Sequence, residues 1–354
     1  MAKLQRYFDQ FHKAIKLDDE NEVLRDKREI ILNALREGLN KLFEDRKENP
    51  PIFTSFNQGS YAMGTGVAPT DGDYDIDVGL DFDISIEDYP DPVVIKQWVA
   101  DALEGHTNSV PMKNPCVTVQ YQSNDEPEYH VDLAIYGHSF SSDTDLYLAR
   151  GKSRSLPENR IWEPSDPKGF IKAIRERFDS DDRRQFRRVV RYLKRWKDVH
   201  FSSEGNAAPV GIGLTVVAYN WFSPQNILVD RLSNKYEYND LAALLALVNQ
   251  VLLYFQSVYH DDEQAERLSI QLPVQPFDDP FLRMTNRHMK TFKEKLERLK
   301  IALEEANHLA EVDMDVVAAC EMLEKQFGQD FPIPEIKETA QPKRRAIAWS
   351  GDSA

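Results

Sequence analysis

The stretch NQGSYAMGTGVAPTDGDYDIDVGLDFD, residues 57–83, decides the fold of this 354-residue chain. Asp73, Asp75 and Asp77 alternate there with tyrosine, isoleucine and valine. This period of two predicts a β-strand with three carboxylates on one face and hydrophobic side chains on the other. Neighbouring carboxylates disfavour their own ionisation unless a cation lies between them. The stretch therefore predicts a strand with a cation-binding face, and Mg²⁺ suits its oxygen ligands.

The acidic strand has two other possible interpretations, an EF-hand loop and a solvent-exposed strand. An EF-hand loop begun at Asp71 or Asp73 would lack both its glycine and its glutamate, which excludes that motif. A solvent-exposed acidic strand remains compatible with the triplet alone, because D-x-D triplets are common. Two features favour the cation site. The pair Gly59-Ser60 offers backbone N–H groups and a hydroxyl for a phosphate, and Asp132 lies in a second hydrophobic strand, where a lone carboxylate is costly.

Composition limits the class of protein. The net charge of −15 should repel nucleic acid and membrane surfaces, so a stable nucleic-acid partner and a membrane partner are both disfavoured. Cys116 and Cys320 lack metal-like spacing and are interpreted as reduced thiols. The first 22 residues are charged throughout, and no stretch approaches the roughly 20 apolar residues of a membrane helix. We therefore expect a cytoplasmic protein.

Hydrophobic periodicity divides the chain into two parts. The first combines one long amphipathic helix over 21–46 with four strands, at 52–58, 73–80, 115–121 and 128–137. The second is predicted to be almost entirely helical, with helices over 168–178, 182–200, 209–222, 238–257, 285–307 and 313–327. Segment 137–167 is interpreted as a connector or lid. The pattern predicts an α+β half with a small sheet, followed by a helical half.

The order of the motifs resembles a known superfamily. Gly-Ser, then D-x-D, then a third aspartate on a later strand is the pattern of polymerase-β-like nucleotidyltransferases. Within that superfamily the chain resembles the bacterial cGAS/DncV-like nucleotidyltransferases (CD-NTases), which make cyclic di- or trinucleotide signals in anti-phage defence. The resemblance covers most of residues 20–335 and rests on QGSYAMGT, DYDIDVG, YHVDLAIYG, WEPSDPKGF, VVRYLKRWKD and QFGQDFPIPE.

The resemblance implies a polymerase-β-like nucleotidyltransferase core with a small mixed sheet, followed by a helical domain, the two lobes flanking the active-site cleft. It implies a core over 1–160, a helical domain over 161–334 and a flexible tail over 335–354. Asp75 and Asp77 would bind two Mg²⁺ ions, for which Mn²⁺ can substitute, together with a nucleoside triphosphate. Asp132 would complete the second metal site and help to activate the attacking hydroxyl. Asp73 precedes the matching motif and is interpreted as exposed or supporting.

The nucleotide-binding residues that the resemblance implies are Gln58, Gly59, Ser60, Tyr61, Lys194 and Asp278. Lys194 matches a lysine that contacts the triphosphate from the helical domain. Asp278 is either a base contact or a cap for the 285–307 helix. Base preference stays open, because the sequence near Gly211 lacks a serine that some relatives use.

Basic residues and a histidine outside these motifs are predicted to have structural roles or to border the cleft. The stretch DDRRQFRRVVRYLKRWKD, residues 181–198, predicts a helix with an apolar stripe. The arginines that lie away from this stripe are interpreted as a solvated face; they are Arg184, Arg188, Arg191 and Arg195. Arg150, Lys152 and Arg154 either form a positive rim around the cleft or lie on an ordinary loop surface. His130 is interpreted as a packed strand residue, because the histidines show no metal spacing.

These features predict a cyclic oligonucleotide synthase that uses ATP, GTP or both. The alternatives are an RNA- or small-molecule-modifying nucleotidyltransferase and a catalytically idle partner-binding module of the same fold. For the tail we hypothesise that a ubiquitin-transfer-like activating enzyme couples the carboxylate of Ala354 to a target, with Ile347 and Trp349 docking in its groove. An ordinary disordered terminus is the alternative.

Overall fold

The computed structural model describes residues 3–17, 22–70, 74–107, 109–123, 126–202 and 207–335. The helices in these ranges are α1 (Gln5–Ile15), α2 (Glu22–Glu44), α3 (Gly59–Met63), α4 (Val93–Ala102), α5 (Pro167–Glu176), α6 (Ser180–His200), α7 (Gly211–Trp221), α8 (Asp240–Leu253), α9 (Asn286–Glu311) and α10 (Val316–Phe327). The strands are β1 (Phe53–Asn57), β2 (Tyr74–Ser85), β3 (Val117–Ser123), β4 (Glu126–Ser139), β5 (Ser142–Arg150), β6 (Ile161–Ser165), β7 (Asn226–Asp230), β8 (Lys235–Tyr238), β9 (Phe255–His260) and β10 (Glu263–Leu268).

A mixed six-stranded sheet forms the first half of the molecule. Its strand order is β1-β2-β4-β5-β6, and β3 pairs with the first part of β4. The β2–β4 pair is parallel, whereas the other pairs in this sheet are antiparallel. The strands β2 and β4 lie in the middle of the sheet, and their side chains alternate between its two faces.

One face of the sheet packs against α2 and α4. The residues of β2 and β4 that alternate with the aspartates, such as Val78 and Val131, are fully buried there. They share a hydrophobic core with the helical residues Leu35 and Ile95. Burial of each such aliphatic side chain contributes about 1.5–3 kcal/mol. The hydrophobic half of the alternation therefore fixes the strands and leaves the carboxylates on the opposite face.

The helical half packs around α6. The side chains of its apolar stripe, among them Phe186, Val190 and Trp196, are fully buried and share one core with residues of α7, α8, α9 and α10. The first helix belongs to this same core, because Phe8 and Phe11 of α1 are fully buried in it.

The limits of the predicted domains at residues 160 and 334 stay predictions. No helix in the described ranges combines the length and hydrophobicity needed to cross a membrane.

The α+β architecture is confirmed, and each predicted strand and most predicted helices agree with the structure within a few residues. The interpretation of 137–167 as a connector or lid is wrong, because β5 and β6 extend the sheet there. The strand β6 carries Pro164, a residue confined to edge strands, which weakens the strand signal. The helix predicted over 238–257 ends at Leu253, and the hairpins β7–β8 and β9–β10 interrupt the helical half.

The interpretation of the outer arginines of α6 as a solvated face is wrong for three of them. Arg191 is 3% exposed and donates from Nε and Nη2 to the carbonyl oxygens of Gly66 and Gly64. Arg195 is 2% exposed and donates to the carbonyl oxygen of Ala68. These bonds hold the loop after α3 against α6, which places the Gly-Ser turn beside the helical half.

Arg188 forms the third buried contact. It donates from Nε and Nη2 to the Asp240 carboxylate at 2.6 and 2.8 Å, and Asp240 is fully buried. Tyr192 donates to the same carboxylate at 2.9 Å. By contrast, Arg184 is exposed, as expected, and pairs with Asp181 at the surface.

Replacing Arg188 with methionine should lower the free energy of unfolding by about 3–5 kcal/mol, because it leaves a buried carboxylate without its cation. Arg184→Met is the matched control on the same helix and should cost less than about 1 kcal/mol, since its ion pair is exposed. Chemical denaturation of both variants measures the difference. Equal losses would mean that the buried pair contributes no more than the surface pair.

Candidate active site

The face of the sheet opposite the hydrophobic core carries four polar side chains in a compact patch. The parallel register of β2 and β4 pairs Asp75 with His130 and Asp77 with Asp132. Because residues two apart share a face, all four side chains point the same way. Ligand atoms of Asp75, His130 and Asp132 lie within 4.8 Å of one another, and His130 Nε2 is 3.2 Å from Asp75 Oδ1. The sequence pattern thus places the three predicted carboxylates together.

One neighbouring residue needs a correction, and another stays untested. His130 is not a packed strand residue, because it contacts Asp75 at the carboxylate face. Because residues two apart on a strand share a face, its position two residues before Asp132 already placed His130 on the carboxylate face. The search for metal-like spacing among the histidines did not use this relation. Asp73 lies outside the described residues.

Gly59 brings the Gly-Ser turn into contact with Asp77. The glycine has φ +66°, and a Cβ atom built there would lie 1.7 Å from Asp77 Oδ2. In addition, the backbone N–H of Gln58 donates to the carbonyl oxygen of Asp77 at 3.1 Å. Any larger residue at 59 would push the carboxylate out of place. The turn and the acidic strand therefore form one unit.

Burial and charge perturb the groups at the centre of the site. Burial, followed by the charges of Asp75 and Asp132, raises the pKa of Asp77 to about 7. Lys194 and His130 act in the opposite direction on this group. Such a carboxyl group holds a proton near neutral pH unless a cation replaces it. The site therefore favours a bound cation.

Lys194 approaches the site from the helical half. Its side chain is 8% exposed, and Nζ donates to the carbonyl oxygen and the hydroxyl of Thr65, each at 3.2 Å. Burial, with the charges of Arg191 and Lys197, lowers the pKa of Lys194 to about 7. An anionic ligand beside this ammonium would stabilise its charged form.

Asp132 has partners that sequence reasoning did not identify. Thr118 on β3 donates from Oγ1 to Asp132 Oδ1 at 2.5 Å, and Lys113 Nζ lies 3.4 Å from the same oxygen. Lys96 is fully buried and donates from Nζ to the carbonyl oxygens of Lys113, Asn114 and Gly151, each at 2.7 Å. It therefore fixes the loop that carries Lys113. The antiparallel register that pairs Thr118 with Asp132 cannot be read from one sequence.

A cavity of about 540 Å³ lies between the sheet and the helical half. Six of the predicted site residues line it, namely Gln58, Gly59, Ser60, Asp75, Asp77 and Lys194. The opposite wall includes Phe170 and Ile171 of α5, Ile212 of α7, and Pro276. The lining thus combines a few polar groups with apolar side chains, as ligand sites commonly do.

Three other predicted residues, Asp132, Tyr61 and Asp278, lie outside this cavity lining. Tyr61 lines a small neighbouring pocket with Arg28 and Asn57. Asp278 is exposed, and the side chain of Thr285, not Asp278, caps α9. The role of Asp278 as a base contact stays a prediction, although nearby Val274 and Pro276 do line the cavity.

The predicted positive rim does not border the cavity among the described residues. Arg150 donates to Glu163 at 2.5 Å, and Lys152 and Arg154 are exposed. None of these three residues contributes to the lining.

Comparison with known proteins agrees with this geometry. Residues 53–136 match the family model described as "Cyclic GMP-AMP synthase DncV-like, nucleotidyltransferase domain". A cyclic GMP-AMP synthase of Escherichia albertii is 32% identical over 159 residues, which are 42% of this chain and 32% of that protein. A c-di-GMP synthase of Roseivirga ehrenbergii is 23% identical over 229 residues, 55% of this chain and 56% of that protein. The chain thus spans about a third and about half of these relatives.

Solved structures share the whole fold at low sequence identity. The CD-NTase CdnG of Bradyrhizobium diazoefficiens, solved in complex with GTP, superposes with a TM-score of 0.67 at 14% identity, covering 92% of this chain and 95% of that one. The cyclic AMP-GMP synthase DncV of Vibrio cholerae gives a TM-score of 0.67 at 16% identity, covering 93% and 97%. At such identities the likeness concerns the fold.

The mixed sheet, its carboxylate face and the cleft below the helical half define a nucleotidyltransferase fold. The match over β1 to β4 includes Asp75, Asp77 and Asp132. Residues 53–136 are thus similar to the nucleotidyltransferase domain of the DncV-like synthases, and the chain shares its fold with the CD-NTases.

The raised pKa of Asp77 predicts a pH effect on stability. The folded protein holds this proton up to about pH 7, whereas the unfolded chain releases it near its usual 3.8. Between these values the folded state binds more protons, so the contribution of Asp77 to the free energy of unfolding falls as pH rises from about 4 to about 7. Relative to wild type, Asp77→Asn should therefore gain stability over this range.

Denaturant unfolding in the presence of a chelator at pH 5 and pH 7 measures this difference. Asp83→Asn, which changes an exposed carboxylate on the same strand, should show no such pH-dependent gain. A constant difference between wild type and Asp77→Asn across the range would contradict the raised pKa.

Proposed function

We propose that the protein is a cyclic oligonucleotide synthase that joins ATP, GTP or both into a cyclic di- or trinucleotide. The observation that carries this proposal is the shared face of Asp75, Asp77 and Asp132, because Asp75 and Asp77 line the cavity together with Lys194. Concentrated negative charge beside a buried lysine suits a ligand composed of divalent cations and a triphosphate. The names of the two curated relatives, as synthases of cyclic GMP-AMP and c-di-GMP, support the reaction class.

The donor set fits Mg²⁺. It consists mainly of carboxylate oxygens, and Mg²⁺ is usually held by one or two carboxylates together with substrate phosphates. Asp75, Asp77 and Asp132 would hold two such ions. Ions bound there would supply activation of the attacking oxygen and stabilisation of the leaving oxygens. The raised pKa of Asp77 supports this assignment, because the carboxylate lacks a full counter-charge within the protein.

The residues of the chain then act on a nucleoside triphosphate as follows. Ser60 and Lys194 bind phosphate oxygens, which orients the α-phosphorus toward the sheet. A ribose hydroxyl of a second nucleotide attacks that phosphorus, forming one P–O bond while the bond to pyrophosphate breaks. Asp132 accepts the hydroxyl proton, and the Thr118 hydrogen bond orients its carboxylate. A repeat of the transfer within the linear product closes the ring.

Two alternatives lead to different outcomes in one assay. An enzyme that extends RNA would need a basic surface, which a chain with a net charge of −15 disfavours. An idle binding module would gain nothing from keeping the mutual repulsion of three carboxylates. Purified protein with labelled nucleoside triphosphates and Mg²⁺ separates them, because only a synthase yields a small phosphatase-resistant product. Extension of added RNA, or no turnover with and without EDTA, would support the alternatives.

The double variant Asp75→Asn, Asp77→Asn should form no detectable product, because it loses the carboxylates proposed to bind both ions. Its fold should persist, since removing like charges relieves repulsion in the metal-free protein. Thin-layer chromatography of the products and thermal unfolding in a chelator measure the two effects. Asp83→Asn should retain activity, and product formation by the double variant would disprove the assignment of β2 as the catalytic strand.

Ser60→Ala and Lys194→Met should each weaken binding of ATP or GTP by about tenfold, the loss expected for one hydrogen bond to a charged group. Isothermal titration with non-hydrolysable nucleotides gives the dissociation constants. Arg184→Met on the exposed side of α6 is the control and should bind like wild type. Unchanged affinity in both site variants would place the triphosphate elsewhere.

The biological setting of this activity is also a proposal. We place the synthase in the cytoplasm and its product in anti-phage signalling, on the strength of the sequence resemblance to the CD-NTases. The ubiquitin-transfer-like partner remains a prediction, because Ile347, Trp349 and Ala354 lie outside the described residues. Deleting residues 345–354 leaves the proposed catalytic groups in place, so it separates a role of the tail from catalysis.

A further inference from the structure

Two histidines of β4 contact aspartates of β2. His130 Nε2 lies 3.2 Å from Asp75 Oδ1, and His138 Nε2 lies 2.7 Å from Asp81 Oδ1. Although the two pairs use the same kinds of atoms on the same two strands, their surroundings differ. The other oxygen of Asp81 accepts a bond from Lys168 Nζ at 2.8 Å, so a lysine completes that pair.

The His130 pair is completed by a second carboxylate. Asp132 lies two residues along β4 on the same face, and its ligand atom joins those of Asp75 and His130 within 4.8 Å. In the described part of the chain, no other trio of histidine, cysteine or acidic side chains brings its ligand atoms this close. Ligands of a six-coordinate ion with bonds of about 2.1 Å lie about 3 to 4.2 Å apart. Small side-chain rotations would bring the trio into that range.

The neighbouring groups leave room for an ion. The side chain of Asp75 is 53% exposed, so water or substrate oxygens can reach the open side of the trio. Lys113 approaches Asp132 at 3.4 Å, but its side chain is 45% exposed and can turn toward solvent. The backbone of the three ligands is fixed by the β2–β4 register, which limits their spread.

We propose that His130 Nε2 is a ligand of the divalent ion bound by Asp75 and Asp132, and that this imidazole gives the site a preference for Mn²⁺ over Mg²⁺. The inference rests on the proposed function, since it concerns the same cation site. Mg²⁺ is a hard ion that takes oxygen ligands, whereas Mn²⁺ belongs to the first-row transition metals, whose affinity for nitrogen is higher although Mn²⁺ is the weakest binder among them. A set of two carboxylates and one imidazole therefore discriminates between these ions, while a set made only of oxygen atoms does so weakly.

The test uses the full chain with Mn²⁺ alone, without nucleotide. Pulsed EPR should detect a hyperfine coupling between bound Mn²⁺ and a nitrogen nucleus, and labelling the histidines with nitrogen-15 should alter that coupling. His130→Gln should abolish the coupling. This variant keeps a side chain that can donate to Asp75 but offers no imidazole nitrogen.

Affinities provide the second measurement. Titration of free Mn²⁺ should give a dissociation constant that rises about tenfold or more in His130→Gln, the order of loss seen when a metal site is weakened. Competition by Mg²⁺ should show that the dissociation constant of Mg²⁺ changes less than about threefold in His130→Gln, because Mg²⁺ gains little from the imidazole. His138→Gln is the matched control and should preserve the coupling and both constants.

The inference would be overturned by a nitrogen coupling that survives in His130→Gln, by equal losses in the two histidine variants, or by no binding of Mn²⁺ to wild type at millimolar concentration. The isotope experiment needs no substitution, so the inference stays testable if a variant fails to fold. Product formation by wild type without a nitrogen coupling would refute the role of His130 alone. A histidine coupling without turnover under any condition would instead refute the proposed synthase.

Discussion

Repulsion between Asp75, Asp77 and Asp132 is the constraint on which the rest of the site depends. The β2–β4 register holds these carboxylates on one face, and the hydrophobic residues that alternate with them prevent the strands from turning over. A shift of one residue would exchange the two faces and bury the charges in the core. The core therefore maintains a concentration of negative charge that the carboxylates alone would disperse.

The helical half contributes to the site by binding the backbone of the loop after α3. Arg191 and Arg195 donate to carbonyl oxygens of residues 64–68, and Lys194 between them donates to Thr65. Three basic residues within one helix thus secure the segment that follows Ser60. Because the same helix carries the central stripe of the helical core, the position of the Gly-Ser turn is coupled to the packing of the helical half.

Alternation along single strands was enough to predict the carboxylate face and the α+β class. Contacts that depend on tertiary packing could not be predicted from such local patterns. Arg188, Arg191 and Arg195 lie off the apolar stripe of α6, but the helix is surrounded by α1, α7, α8, α10 and the loop over 64–68, which a helical projection does not show. Thr118 and Lys113 reach Asp132 through an antiparallel register and a loop fixed by Lys96, neither of which leaves a local signal.

The nitrogen–oxygen distances differ between the Arg188–Asp240 ion pair and the contacts at the carboxylate face. Arg188 meets the fully buried Asp240 at 2.6 and 2.8 Å, distances typical of strong charge-assisted hydrogen bonds. His130 and Lys113 meet Asp75 and Asp132 at 3.2 and 3.4 Å, and these contacts border solvent.

The longer contacts offset part of the repulsion without satisfying the carboxylates. Lys194 and His130 lower the pKa of Asp77, yet burial and the neighbouring carboxylates outweigh them and leave it near 7. Protein cations that bound these oxygens as tightly as Arg188 binds Asp240 would stabilise the empty fold and compete with a metal ion. Weak, partly exposed partners instead keep the strands paired and leave the carboxylate oxygens available to a ligand of higher charge.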